Sequence, residues 1–339
     1  MYWINKITRN LSAKTLILAA TATFFGCSDD DENTPSLLDN YTITATGMYP
    51  EGVDFDDKNN RFLIGSFNQG SISILSSDGT LETFINDSNL IGVTGVYADE
   101  ENNRLIVASG DVGASEKSGA NGSTAGIVAY LGVYDLTTGS LIKGLDLKPL
   151  TPNGGAFPNG ITVDNSGNIY VTDSFSPVIY KVDQSYNAGV FITNASLFTP
   201  APNYFGLNGA VYHSDGYLIV AKTDENKLFK IMLNDPSQVS EITGVDGMKT
   251  PDGLAWTSDN KLVVIENGLG EGKVHILSSA DGWSTATQTK EISIGSTEFP
   301  TSATLASSKE VYVLTSYLGK LLTGDKTQSI FTLDKISIN

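Results

Sequence analysis

From Tyr41 onward the chain runs in short stretches where Val, Ile, Leu, Tyr and Phe fall at alternate positions, broken by clusters of Asp, Asn and Gly. A period of two without a sustained 3.6-residue period predicts short, half-buried β-strands and an all-β domain. One unit recurs along the chain. It is a polar residue, then Gly or Ser, an apolar strand, a polar turn, and a second strand ending in a polar residue. Its copies begin at Glu51-Gly52-Val53, Thr94-Gly95-Val96, Asn159-Gly160-Ile161, Asn208-Gly209-Ala210, Asp252-Gly253-Leu254 and Thr301-Ser302-Ala303. The turns inside the units include Asp56-Asp57-Lys58-Asn59-Asn60, Asp99-Glu100-Glu101-Asn102-Asn103 and Asp164-Asn165-Ser166-Gly167-Asn168. Asn, Asp and Gly tolerate the positive φ of tight hairpins, so each turn predicts the link between a unit's first two strands.

Successive units start 43, 65, 49, 44 and 49 residues apart. A period near 50 is the length of a four-stranded blade, and blades with two apolar faces must stack and close on one another. The predicted fold is a six-bladed β-propeller over 41–339, a single domain despite its length. A sandwich or several small domains would use the same strands but would not need the regular period. The run Tyr41 to Met48 precedes the first unit, so it is expected to pair with Ser329 to Ile338 in the last blade and remove two open edges.

The 40 residues before the repeats carry different signals. Lys6, Arg9 and Lys14 precede a short apolar run from Thr15 to Phe25, then Gly26-Cys27. The run is too short to span a bilayer and reads as a secretory signal over 1–26. Cys27 is the only cysteine, which excludes intrachain disulfides and places a thiol where a bacterial lipoprotein is acylated; an ordinary signal peptide with an incidental cysteine is the other reading. Residues 27–40 begin Ser28-Asp29-Asp30-Asp31-Glu32 and read as an acidic flexible tether. This tract resembles the export signal of Bacteroidetes-type surface lipoproteins, which implies an exported outer-membrane lipoprotein exposed at the surface and touching membrane only through its lipid. The formal charge of −17, with Arg61 and Arg104 the only arginines beyond the leader, argues against nucleic acid or an anionic surface as partner.

In a propeller the first strand of each blade lines the central channel, so Glu51, Thr94, Asn159, Asn208, Asp252 and Thr301 converge on the axis. All six bear oxygen, a set that suits a hard cation such as Ca2+ rather than zinc. The same residue types also cap strands and bind turn backbone, so a ring of caps is the alternative.

Four of these positions, in "YPEGVDFD", "FPNGITVD", "GLNGAVYH" and "TPDGLAWT", make the chain similar to the six-bladed calcium-dependent propellers that include gluconolactonase, the senescence marker protein, diisopropyl fluorophosphatase and paraoxonase. The resemblance covers 41–339. It implies calcium held by Glu51, Asn159, Asn208 and Asp252, and a hydrolase of a lactone or other ester in which Asp252 or Glu51 assists a water or attacks directly. The sugar lactonases of that family place an Arg two residues before the third-blade Asn, where this chain has Phe157. His213 and His275 fall away from the axis and are not expected to act.

Connections between second and third strands share the ring's face and bring Phe67, Phe175 and Tyr317 to a pocket with Phe157, Thr94 and Thr301. Tyr204 and Phe205 reach the same face. The long segment Asp111 to Gly126 reads as either a lid or a surface insertion. A small molecule is the expected partner, taken either as a substrate or by a non-catalytic envelope propeller binding a glycan, peptide or small ligand.

Overall fold

The computed structural model describes residues 36–152, 154–306 and 310–338. The leader, Cys27 and most of the tether lie outside the described residues. Six antiparallel four-stranded sheets follow one another, and each begins on the axis with one of the predicted units. Their inner strands are Pro50–Asp56, Gly92–Asp99, Pro158–Val163, Leu207–His213, Pro251–Trp256 and Pro300–Leu305. The protein is a six-bladed β-propeller.

The ring closes as the pattern predicts. Strand Asn40–Thr44 pairs antiparallel with Ile330–Ile336 as the outermost strand of blade six, in register from Asn40 opposite Asp334 to Thr44 opposite Ile330. Tyr41 on this strand stacks edge-on against Phe62 of blade one (5.4 Å), and Phe62 meets Tyr312 of blade six (4.9 Å), so buried aromatics weld first and last blades. Apolar side chains alternate inward and fill the other blade interfaces; Ile106, Val133, Ile169 and Val171 bridge blades two and three.

The inner hairpins turn through Asn60, Asn103, Gly167, Gly216 and Asn260, all at positive φ. In blades one and two the first turn residue also binds a later cation. Asp56 accepts from Arg61 Nε at 2.8 Å, and buried Asp99 pairs with buried Arg104. Arg61 and Arg104, the two arginines after residue 26, are thereby spent on hairpins. Among the described residues no helix is long and apolar enough to cross a membrane.

Candidate metal centre and mouth

Each inner strand enters the axis through a β-bulge, and the bulges are of two kinds. In blades one, three, four and five the ladder skips two residues, the polar one and its glycine: pairing jumps from Pro50 to Val53, Pro158 to Ile161, Leu207 to Ala210 and Pro251 to Leu254. In blades two and six it skips only Thr94 or Thr301. A bulge bends the strand and re-aims the freed side chain, here toward the channel. The glycines let neighbouring bulges touch. A Cβ at Gly95 would stand 2.2 Å from the Asn159 carbonyl oxygen, and one at Gly209 would stand 2.3 Å from that of Asp252. Three residues just before the bulges, Tyr49, Thr250 and Phe299, carry positive φ ahead of a proline, a strained conformation held by the surrounding packing.

All six ring side chains are buried. Thr94 Oγ1 donates to the Pro158 carbonyl (2.7 Å) and Thr301 Oγ1 to the Glu51 carbonyl (2.8 Å), so both hydroxyls join one blade to the next. At that last seam Ser302, standing where the others have glycine, donates to the Glu51 carbonyl as well (2.7 Å). The other four behave differently. Asn159 Nδ2 donates to Ser174 Oγ and Asn208 Nδ2 to Thr223 Oγ1, each at 3.1 Å. Those hydroxyls donate onward to the Leu207 carbonyl (2.6 Å) and the Pro251 carbonyl (2.7 Å), which fixes both carboxamides. Asp252 Oδ2 accepts from Asn267 Nδ2 at 2.8 Å.

Ser174, Thr223 and Asn267 each stand fifteen residues after a ring residue. The same step from Glu51, Thr94 and Thr301 lands on Ser66, Ser109 and Ser316, all buried. The three supporters repeat at this constant spacing, a signal present in the sequence; at the other three positions the serines bond backbone instead, Ser66 and Ser316 donating to the Met48 and Phe299 carbonyls and Ser109 accepting from Ile91 N. Only the acid in blade five has a carboxamide behind it, where a carboxylate needs a strong donor.

Glu51 is the exception to this satisfaction. It is 6 % exposed, and its Oε2 has no hydrogen-bond partner. A buried carboxylate oxygen without a partner is costly and is relieved by a proton or a cation. Burial first, then the neighbouring Asp252 charge, push the Glu51 carboxyl well above the usual carboxylate range. Burial pushes Asp252 up to about 7, against the lowering effect of hydrogen bonds from Asn267 and Asn208. Two carboxylates and two carboxamides form an oxygen donor set for a hard cation. Among the described residues no group of three or more His, Cys, Asp or Glu side chains is placed to hold a metal ion by itself.

Above the ring, Phe67, Phe157, Phe205, Phe299, Leu269 and Leu318 wall a cavity of about 50 Å3 whose floor includes Glu51, Asn159, Asn208 and Asp252. Phe157 packs on Phe175 (5.0 Å) and Phe205 (5.5 Å), and Phe175 stacks on Phe205 (5.4 Å). Phe175 therefore stands behind the wall. Tyr317, expected at the mouth, turns its ring toward Phe331 (6.1 Å), with the Lys320 ammonium over its face (5.1 Å). Leu269, Phe299 and Leu318 were not foreseen, the last carried by the short helix Leu318–Leu322.

The segment from Asp111 to Gly126 is stapled in place. Buried Asp111 accepts from Gly113 N, Ser118 Oγ and Thr124 Oγ1, while Ser115 Oγ bonds the carbonyls of Asn68 and Ile91. Val112 from this segment reaches the cavity. His213 lies at the far end of its strand, stacked on Tyr217 (4.6 Å), and His275 is buried in the third strand of blade five between Glu266 (3.1 Å) and Gln288 (2.7 Å).

Comparison with known proteins agrees with this architecture. A family model for the SBBP β-propeller repeat matches residues 128–172. The major allergen Mala s 1 of Malassezia sympodialis aligns over 89% of this chain and 97% of its own at TM-score 0.71 and 14% identity. A structure assigned as a gluconolactonase aligns over 89% of this chain and 94% of its own at TM-score 0.57 and 13% identity. Virginiamycin B lyase from Staphylococcus aureus aligns over 88% and 99% at TM-score 0.55 and 15% identity. At such identities the likeness is one of fold, and these neighbours include enzymes of different chemistry. No curated protein matches in sequence.

Proposed function

We propose that this propeller is a calcium-dependent hydrolase of a lactone or another ester, working where the ring meets the mouth. The observation that carries the reading is the unpartnered, buried Glu51 Oε2 beside Asp252, at the floor of an apolar cavity. Glu51, Asn159, Asn208 and Asp252 would hold the ion. When bound, calcium would polarise the scissile carbonyl and stabilise the negative charge that develops on its oxygen. Asp252, steadied by Asn267, would accept the proton of an attacking water, or Asp252 or Glu51 would attack the carbonyl carbon and expel the alkoxide, leaving an acyl-enzyme anhydride for water to hydrolyse. Ser174 and Thr223 keep the two carboxamides aimed, and the phenylalanine wall excludes bulk water.

Phe157 in place of an arginine, and walls without charge, favour an ester or lactone of low polarity over a sugar lactone. A cavity near 50 Å3 is small for a substrate, so admission requires Leu269 and Leu322, 52% and 43% exposed at the rim, to swing aside. That tight mouth also supports a second reading, a non-catalytic propeller binding a small ligand. In either reading the chain is an exported lipoprotein held to the outer membrane through lipid on Cys27, with no nucleic-acid partner.

The test is calcium calorimetry on the wild type, Glu51→Gln and Asp252→Asn, followed by an ester and lactone panel. Binding lost in both variants together with wild-type turnover supports the hydrolase. Binding without turnover of any ester leaves the second reading, and calcium binding indifferent to both changes removes the ion from the ring.

A further inference from the structure

The ring lies between two unlike ends. Toward the mouth, no wall side chain above Glu51 and Asp252 is charged. At the opposite end the inner strands spread into a funnel of about 740 Å3, of ligand-pocket size. Val53, Val96, Ile161, Ala210, Leu254 and Ala303 border both the funnel and the narrow channel that holds the ring, so one axis connects them. Asp54, Asp57, Asp99, Glu100, Glu101 and Asp164 face the funnel, and no lysine, arginine or histidine does. Of these acids, Asp99 alone has an ion-pair partner among the described residues, Arg104; the Lys58 ammonium nearby donates to the Glu100 carbonyl. At the inner end of this path stands a polar atom that calls for a positive charge, the buried and unpartnered Glu51 Oε2.

We propose that the cation reaches the ring through the acidic funnel, from the end opposite the mouth, so that ion and organic ligand use separate doors. This rests on the ring being a calcium site. A cleft lined by one sign of charge focuses its field and raises the on-rate of an oppositely charged species by about 10- to 1000-fold, an effect that salt suppresses. The mouth offers a cation only apolar wall.

The experiment measures calcium dissociation by mixing the loaded protein with a fluorescent chelator, and the dissociation constant by calorimetry; together they give the association rate. The test variant is Asp57→Asn/Glu100→Gln/Glu101→Gln, with Asp57 and Glu101 exposed and Glu100 half-buried in the hairpins away from the ring, and with thermal melting as the folding control. Its association rate is expected to fall about tenfold at low ionic strength, with the difference shrinking in 0.5 M salt. A control, Leu269→Glu/Leu322→Glu, places charge at the mouth and is expected to leave the rate unchanged. A funnel variant as fast as wild type, or a mouth variant accelerated at moderate salt, overturns the route while leaving the calcium site standing. A wild type that binds no calcium overturns both.

Discussion

Blades two and six meet the axis with threonine, the other four with an acid or an amide, and the two groups use the same position for different ends. The threonine bulges free one residue, whose hydroxyl is consumed in holding the next blade's carbonyl. The acid and amide bulges free two, and their side chains are steadied from behind while Glu51 Oε2 keeps no partner. Equivalent positions have divided the work. Two latch the ring, and four build a polar centre whose hydrogen bonding is left incomplete. The register of each bulge marks the division independently of side-chain chemistry.

The largest effect separating the groups is expected from Asp252→Asn and Glu51→Gln. Each should weaken calcium binding by about 100-fold or more, and Asp252→Asn should lower ester turnover by about 1000-fold. Glu51→Gln should in addition raise the melting temperature of the metal-free protein, because it removes an ionisable group whose charged form is unpaired. Melting curves and calorimetry on the same samples check both signs.

Acidity gives the next effect. Glu51 and Asp252 hold protons in the folded metal-free chain at pH values where the unfolded chain has released them. Metal-free stability should therefore be highest near pH 4, fall as pH rises toward about 7, and be flat with respect to Asp252 above it. Calcium must displace those protons, so its affinity should climb about tenfold per pH unit for each proton displaced over the same window and then level off. Absence of this slope in calorimetry at pH 5, 6 and 7 would break the link between the ion and the acid pair.

Smaller changes sharpen the comparison. Ser174→Ala removes the support for Asn159 without touching the centre and should cost about tenfold in calcium affinity, with rescue by Ser174→Thr. Thr94→Val should do the opposite, lowering unfolding free energy by about 1–2 kcal/mol through the orphaned Pro158 carbonyl while calcium affinity stays within about twofold. If Thr94→Val weakened calcium as much as Ser174→Ala, the threonines would belong to the centre after all.

The blades, their hairpins, the closing strand and the six axial residues were legible because each rests on short-range rules: a period of two, turn residues at positive φ, and an unpaired first strand. The fifteen-residue echo was present in the letters but hidden, since a lone Ser or Thr at a strand end is ordinary and only its repetition is informative. The mouth was the least legible. Leu269 and Leu318 are single apolar residues outside any period, and Tyr317, whose backbone is left-handed, lies with its ring edge-on to Phe331. Nor could the alternating pattern give cavity size, which depends on how Phe157, Phe175 and Phe205 pack; Gly110 admits Phe157, since a Cβ there would stand 2.6 Å from its ring.

The closing strand has a mechanical consequence. A pull on the residues before Asn40 enters the ring along the strand Asn40–Thr44, so the five positions paired with blade six share the load in shear instead of peeling one by one. The next contact in line is Tyr41 against Phe62 of blade one, whose inner strand carries Glu51. Tension applied along that strand is thus borne at the same seam that Thr301 and Ser302 fasten to the Glu51 backbone, and force strong enough to part that seam would disturb the polar centre before it disturbed blades three and four.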